Sequence, residues 1–367
     1  MLGEKVRFIV GSLLILGLVV VTLFLTNSNI ISNASNVSDS NNSSANNTNN
    51  DRDVVRKTKI NKVPKGKVNT TQVTFPNEKT GLKLAGLVFT PKNMKPNAKL
   101  PAVVVGGPMF SVKEQTQSLY AQHMAELGYV AIVFDHTYYG ESEGEPRRYE
   151  DPFMKSEDIK SAVSYLETLP YVDTDRIVGL GICGSGSYMP FTAVSDHRIK
   201  AVASVVPWGD MNDWAISETL GPVLSPELAK EAREAREARE AYERGETSPD
   251  YTVFQPQGDN EGAAYYWNPK RGLVPNWVNT YVPWSTEKWA EFNPEEALSN
   301  LGPTPLLVIT SSNAWSLSSA ESLYAAANGP KKFYMIEGAG HFDLYDLDPY
   351  VTEAMKQIKP FFAKYLR

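Results

Sequence analysis

Short apolar runs alternate with helical patterns over most of the chain. An antiparallel strand pair is expected at residues 70–75 and 83–90, on either side of a turn. Further apolar runs follow at residues 102–105, 130–134, 177–181, 201–206, 306–309 and 332–335. Uninterrupted apolar runs of this length indicate strands buried on both faces. The pattern therefore predicts an α/β fold over residues 61–367, with a mostly parallel sheet of eight strands and helices on both faces.

Residues 208–303 form a long insertion between the sixth and seventh predicted strands. A connection of this length is uncommon inside a compact domain and is typical of a lid over an active site. Its segment 230–244 repeats Glu-Ala-Arg, so no apolar face persists and a solvated helix is expected. Its second half is rich in aromatic residues, and we expect two or three of them to contact substrate. These residues are Tyr265, Tyr266, Trp267, Trp277, Tyr281, Trp284, Trp289 and Phe292.

The amino-terminal part of the chain has a different character. Residues 8–25 are almost entirely apolar, which is just enough for a helix to cross a bilayer. Lys5 and Arg7 precede the run, so residues 1–7 are expected in the cytoplasm and the rest outside a single-pass anchor in the cell membrane. A cleaved signal segment, with secretion, is the alternative. Residues 26–60 are rich in Asn and Ser and predict a disordered tether.

Composition excludes several classes of function. The chain has 367 residues and a net charge of -6, and it carries no basic stripe of the kind that binds nucleic acid. A single cysteine excludes a disulfide framework and a thiolate metal cluster. The four histidines are far apart in sequence, so no metal or other cofactor is expected. We expect a small-molecule partner, and the sequence does not indicate an oligomeric state.

The one cysteine occupies a position suited to a nucleophile. Gly181-x-Cys183-x-Ser185 follows the fifth predicted strand. The spacing matches the G-x-S-x-G nucleophile elbow, in which small flanking residues let a strand turn sharply into a helix. The amino terminus of that helix, and a neighbouring imidazolium, are expected to lower the pKa of the Cys183 thiol.

A histidine and two backbone groups complete the expected chemistry. His341 follows the eighth predicted strand in a glycine-rich turn, where it is placed to act as general base and then as general acid. Acyl transfer also needs two N–H groups that face the developing oxyanion. Gly184 follows the nucleophile, and Met109 is the second expected donor because Pro108 has no N–H.

The residue that orients His341 is not evident. No carboxylate occupies the loop after the seventh predicted strand, residues 310–316. Asn313 from that loop would orient the imidazole as an amide does in Cys-His-Asn proteases. Asp210, just after the sixth predicted strand, is an equal alternative. A catalytic dyad, or a site that has lost its activity, also remains open.

Several motifs together resemble a known family. They are Gly179-Leu180-Gly181-Ile182-Cys183, Val112-Lys113-Glu114-Gln115, Phe134-Asp135-His136 with Gly140-Glu141-Ser142, and Gly340-His341-Phe342-Asp343-Leu344-Tyr345-Asp346. They look like the dienelactone-hydrolase-like α/β hydrolases, which are related to fungal polyketide transesterases and thiohydrolases. The resemblance implies an α/β-hydrolase fold and a hydrolase with Cys183 and His341 as its reactive pair. Dienelactone hydrolases proper carry a glutamate where Gly106-Gly107 stands here, so dienelactone is not the expected substrate.

The leading hypothesis is therefore a hydrolase that cleaves ester or thioester bonds of an acyl substrate through Cys183 and His341. An acyltransferase or a peptidase with the same site is the first alternative. A non-catalytic binding protein on a hydrolase fold is the second, because fold alone does not establish function.

Overall fold

The computed structural model describes residues 58–209, 226–247, 250–254 and 260–366. Its strands are β1 Lys59–Ile60, β2 Val68–Pro76, β3 Lys83–Pro91, β4 Leu100–Gly106, β5 Val130–Phe134, β6 Val172–Ile182, β7 Ile199–Val205, β8 Tyr251–Thr252, β9 Thr280–Tyr281, β10 Leu306–Ser311, β11 Lys331–Ile336 and β12 Leu347–Asp348. The helices are α1 Thr116–Glu126, α2 Pro152–Thr168, α3 Ser185–Ser195, α4 Pro226–Glu243, α5 Glu261–Tyr266, α6 Ser285–Glu291, α7 Pro294–Leu298, α8 Leu317–Ala326, α9 Asp343–Asp346 and α10 Tyr350–Tyr365.

Eight of the strands form the central sheet, in the order β11-β10-β7-β6-β4-β5-β3-β2. From β11 to β5 every neighbouring pair is parallel, whereas β3 runs antiparallel to both β5 and β2. All eight predicted strands are present, and the predicted α/β-hydrolase fold with a mixed eight-stranded sheet is confirmed. Because β4, β6, β7, β10 and β11 are mutually parallel, the loops after them leave the sheet at one edge.

Apolar residues of the strands point alternately to two helical layers. In β4, Val103 and Val105 belong to one buried cluster and Ala102 and Val104 to the other. The first cluster includes side chains of α1 and α10, and the second includes side chains of α2, α3 and α8. The interior strands β5 and β10 are buried throughout. This two-sided burial is the reason that their sequences read as continuous apolar runs.

The described parts of the insertion between β7 and β10 contain α4 to α7 and the small antiparallel pair of β8 and β9. Helix α4 carries ion pairs between residues four apart, such as Arg236 with Glu240. It is less solvated than the sequence predicts, because Ala235 and Ala238 are buried and Ala238 packs against Val282 and Trp284. The alanines of the Glu-Ala-Arg repeat thus supply a narrow packing face.

The expected membrane localisation is corrected. Among the residues that the structure describes, none of the helices is long and apolar enough to cross a bilayer. The longest of them, α4, has 18 residues but carries charged side chains in every turn. The predicted anchor at residues 8–25, with residues 1–7 before it, lies outside the described residues. Residues 59 and 60, assigned to the tether by composition, form β1 and pair with β12.

Candidate active site

Cys183 lies at the sharp turn between β6 and α3. Its backbone adopts a φ of 55°, in the left-handed region that most side chains avoid. The turn leaves no room for larger neighbours, because a Cβ on Gly181 would lie 1.9 Å from the carbonyl oxygen of Ser185. The Cys183 N–H donates to the carbonyl of Val205 at 3.0 Å. These contacts hold Cys183 at the apex of the turn, as the elbow motif predicts.

Two backbone N–H groups converge on the Cys183 sulfur. They belong to Gly184 and Met109, the two residues that the sequence nominates as oxyanion donors. Met109 is part of residues 107–110, which follow β4 and are called the oxyanion loop here after the role that the sequence predicts for them. The loop is held against the elbow by a hydrogen bond from the Ser185 N–H to the Gly107 carbonyl at 3.2 Å. A group bound to the sulfur would therefore meet both donors.

A buried carboxylate, that of Glu150, is hydrogen-bonded to the oxyanion loop. Glu150 accepts a hydrogen bond from the Phe110 N–H at 3.0 Å and another from the Tyr188 hydroxyl at 2.9 Å. Its charge is balanced by Lys155, whose Nζ lies 2.5 Å from Oε1. Phe110 has a φ of 60°, a strained value that the Glu150 contact helps to maintain. Sequence reasoning missed this role, because Glu150 precedes α2 and lies outside every motif.

His341 is fully buried between aromatic rings. Its imidazole stacks on Trp315 with ring centroids 4.3 Å apart. Its Nδ1 lies 2.7 Å from the hydroxyl oxygen of Ser316, and its Nε2 lies 3.2 Å from the hydroxyl oxygen of Tyr345. The Tyr345 hydroxyl also hydrogen-bonds the Cys183 thiol. Tyr345 thus stands between the two residues that the sequence pairs directly.

The structure describes one of the two residues that were predicted to orient the imidazole of His341. Asn313 is exposed, and the partner of Nδ1 is Ser316, three residues further along the same loop. Asp210 lies outside the described residues. Ser316 was within the loop that the sequence singles out, but a hydroxyl is a weaker orienter than an amide or a carboxylate. Nothing in the spacing distinguishes it from its neighbours.

Burial sets the protonation of the reactive pair. It raises the pKa of the Cys183 thiol to about 11, although the hydrogen bonds from Tyr345, Gly184 and Met109 oppose the shift. It lowers the pKa of His341 to about 3. The expectation of a lowered thiol pKa is therefore wrong, because desolvation outweighs the helix terminus and the nearby donors. At neutral pH the resting pair is a thiol and a neutral imidazole.

A cavity of about 350 Å³ opens above Cys183. Its wall is largely apolar, and it includes side chains from the oxyanion loop, from the insertion and from the segment around α9. Three of the eight aromatic residues singled out in the insertion line it, namely Tyr266, Tyr281 and Trp289. Among the described lining residues, Glu261 alone carries a charge.

The insertion is attached to the segment that carries His341. Arg271 pairs with Asp346 at 2.6 Å and donates to the Phe342 carbonyl at 3.0 Å. Glu261 accepts from the Phe342 N–H at 3.2 Å and also hydrogen-bonds the His341 N–H. The wall of the cavity and the position of the imidazole are thereby connected.

The chain is similar in sequence and in structure to known proteins. The model of the dienelactone hydrolase family matches residues 84–222. Protein PA2218 of Pseudomonas aeruginosa is 34% identical over 292 residues, which cover 76% of this chain and 77% of that protein. Its crystal structure is similar to this one with a TM-score of 0.73 at 32% identity, over 82% of this chain and 94% of that chain.

Two fungal relatives carry names that state an activity. Acyltransferase drtE of Aspergillus calidoustus is 28% identical over 280 residues, covering 73% of this chain and 88% of the relative. Thiohydrolase aneE of Aspergillus aculeatus is 27% identical over 278 residues, covering 72% of this chain and 84% of the relative. The similarity in both cases extends over most of the two chains.

Proposed function

Since this chain belongs to the dienelactone hydrolase family of α/β hydrolases, we propose that it cleaves ester or thioester bonds of small acyl substrates, with Cys183 as nucleophile and His341 as general base. The observation that carries the proposal is the convergence of the Gly184 and Met109 N–H groups on the Cys183 sulfur at the floor of the cavity. Two preorganised donors beside a nucleophile are what acyl transfer requires, because the charge of the tetrahedral intermediate develops there.

The reaction starts from the neutral pair. The thiol loses its proton to His341 as the sulfur attacks the acyl carbon, so a thiolate does not accumulate beforehand. The carbonyl oxygen acquires negative charge and is stabilised by the Gly184 and Met109 N–H groups. The imidazolium then protonates the leaving group, and water releases the acyl group from the sulfur in a second round.

The cavity favours an uncharged, apolar acyl group. Phe110, Tyr266 and Trp289 supply aromatic surface at its wall, and such surfaces gain free energy by burying apolar groups. The carboxylate of Glu261 disfavours a second carboxylate in the substrate, because two like charges would be brought together in a poorly solvated space. Anionic lactones of the dienelactone type therefore fit poorly.

Acyl transfer to an alcohol or an amine is a second candidate. It is supported by the relative named as an acyltransferase and by an apolar cavity wall, which limits the water near an acyl-enzyme. The two functions share the first half of the reaction and differ only in what accepts the acyl group.

The test begins with a panel of p-nitrophenyl esters and acyl thioesters, assayed with the full chain and with Cys183→Ala. We expect the variant to lose activity by at least about 10³-fold, as for other nucleophiles, and mass spectrometry to find the acyl group on Cys183. Ser156→Ala is the matched control, because Ser156 is a buried serine of α2 bonded to Thr192. Unchanged activity in Cys183→Ala would refute the proposal. Adding an alcohol and measuring new ester separates transfer from hydrolysis.

A further inference from the structure

Tyr345 occupies the space between the sulfur and the imidazole. It lies four residues after His341, in the single turn of α9, so that its side chain returns over the histidine ring. Its hydroxyl oxygen lies 3.2 Å from Nε2 of His341 and hydrogen-bonds the Cys183 thiol. The hydroxyl of Tyr266 bonds the same oxygen. One phenol therefore contacts both members of the reactive pair.

Access to the cavity distinguishes Tyr345 from His341. Tyr345 and Trp315 belong to the cavity wall, whereas the imidazole is stacked behind Trp315 and is fully buried. A proton that passes between the cavity and Nε2 therefore meets the Tyr345 hydroxyl first. A phenol suits this position because it both donates and accepts a hydrogen bond.

We propose that Tyr345 is a catalytic residue that relays the proton between Cys183 and His341. In the first step the S–H proton passes to the phenol oxygen while the phenol O–H proton passes to Nε2. The sulfur keeps the S–H bonding electrons and attacks the acyl carbon, Tyr345 remains a neutral phenol, and His341 becomes imidazolium. This relay depends on the function proposed above, of which it is one step.

The surrounding hydrogen bonds fit this direction of transfer. The relay uses the tautomer in which Nδ1–H donates to the Ser316 hydroxyl oxygen, 2.7 Å away, and Nε2 receives the phenol proton. The Tyr345 and Tyr266 hydroxyls are hydrogen-bonded to each other. In the relay the Tyr345 O–H is turned to Nε2, so that the Tyr266 hydroxyl donates to the Tyr345 oxygen and stabilises the negative charge that develops there during transfer. When the leaving group departs, the same two protons move in the opposite direction, and Tyr345 delivers one of them to the cavity.

The charged groups around the pair do not replace the relay. The charge of Glu150 raises the pKa of the Cys183 thiol, and Glu150 is held in its ion pair with Lys155. Glu261 contacts the backbone of His341 and Phe342 rather than the imidazole. Two neutral phenols also contact Tyr345, that of Tyr265 with ring centroids 5.0 Å apart and that of Tyr266 through its hydroxyl.

The test measures acylation by a p-nitrophenyl ester in single turnovers between about pH 6.5 and 9.5, because this leaving group needs no proton. With the relay intact the rate is nearly flat, since His341 is neutral and Cys183 is a thiol across the range. In Tyr345→Phe only the thiolate reacts, so the rate rises about tenfold per pH unit, as it does in His341→Asn. At pH 7 we expect a loss of roughly 10²–10⁴-fold.

Tyr120→Phe is the matched control. Tyr120 is buried, and its hydroxyl donates to the Leu344 carbonyl at 2.7 Å, next to Tyr345 but without contact to the reactive pair. Its profile should stay flat even if its rate is lower. A flat profile in folded Tyr345→Phe would overturn the relay while leaving the hydrolase function intact. Acylation at the normal rate in Cys183→Ala would instead overturn the function.

A measurement on the unaltered protein covers the case in which Tyr345→Phe does not fold. In mixtures of H2O and D2O the acylation rate, once corrected for the known isotopic fractionation of a reactant S–H group, should depend on the deuterium fraction with curvature, because two protons move together. A linear dependence would mean that one proton moves, and the relay would be wrong.

Discussion

The burial of neutral His341 has a consequence for stability in acid. Its pKa is lowered from 6.5 to about 3 in the folded protein, whereas in the unfolded chain it keeps the ordinary value. Below pH 6.5 the unfolded state therefore binds a proton that the folded state does not, and stability falls as the pH is lowered. The contribution is fully present above pH 6.5 and is lost progressively toward pH 3.

The magnitude follows from the two pKa values. Between pH 7.5 and 5.0, His341 alone should remove about 2 kcal/mol of folding free energy. His123 and His136 also have lowered pKa values because of burial, so the effect of His341 must be isolated by difference. His341→Asn serves for this, since its amide places a polar atom near Ser316 without titrating.

The assay is urea unfolding of the full chain and of His341→Asn at pH 7.5 and 5.0. The native chain should lose about 2 kcal/mol more than the variant over this interval. An equal loss in both proteins would show that the imidazole is solvated in the folded state, and the neutral-pair mechanism would then lose its basis.

Three further predictions concern the supports of the site. Gly184→Ala places a Cβ 2.7 Å from a side-chain atom of the oxyanion loop, so kcat for p-nitrophenyl esters should fall by about 10²–10³ with little change in the urea midpoint; an unchanged kcat would remove Gly184 from the oxyanion hole. Arg271→Met leaves the nearly buried Asp346 carboxylate unpaired and should lower the free energy of unfolding in urea by about 3–5 kcal/mol. Changing Asp346 to Leu as well should restore most of this free energy, and no recovery would show that the packing of the arginine is what matters. Ser316→Ala should lower kcat by roughly tenfold, as expected for loss of a hydrogen bond that orients the base, whereas Asn313→Ala should leave it unchanged; the reverse order would make Asn313 the orienting residue.

The strands and the elbow were predictable because their causes are local. A run such as 130–134 reads as a buried strand from its own residues, and β5 occupies those positions. The turn at Cys183 requires small residues on both sides, and Gly181 supplies one of them where a Cβ would collide with the backbone. Steric demands of this kind are visible in the sequence without any tertiary contact.

The partner of His341 was not predictable for the opposite reason. Asn313 and Ser316 lie on the same loop, and which of them reaches the imidazole depends on how Trp315 packs. Trp315 stacks on the imidazole and stands between the two candidates, and Ser316 is the one turned inward. Tyr345 was visible in the motif after His341, but its contact with Cys183 joins two segments that are remote in sequence.

The predicted low pKa of the Cys183 thiol was wrong because the effect of burial is larger than the effect of the helix terminus. A helix terminus contributes about 0.3–1 kcal/mol at an exposed site, whereas full burial shifts a pKa by several units. Cys183 is buried at the floor of the cavity, in contact with Met109 and Tyr345, so desolvation dominates. The sequence identifies the helix but does not show how much of the insertion and of the segment around α9 covers the sulfur.

The burial of Cys183 means that a neighbouring base must remove the thiol proton during the proposed reaction. A thiolate paired with an imidazolium would be reactive before substrate arrives, whereas a neutral thiol of pKa about 11 reacts only when a base removes its proton during attack. Proton transfer then becomes part of the chemical step, and its geometry matters as much as that of the sulfur. In the proposed reaction the contacts of Tyr345 with both Sγ and Nε2 supply that geometry, and the ion pair of Arg271 with Asp346, beside Tyr345, connects it to the insertion.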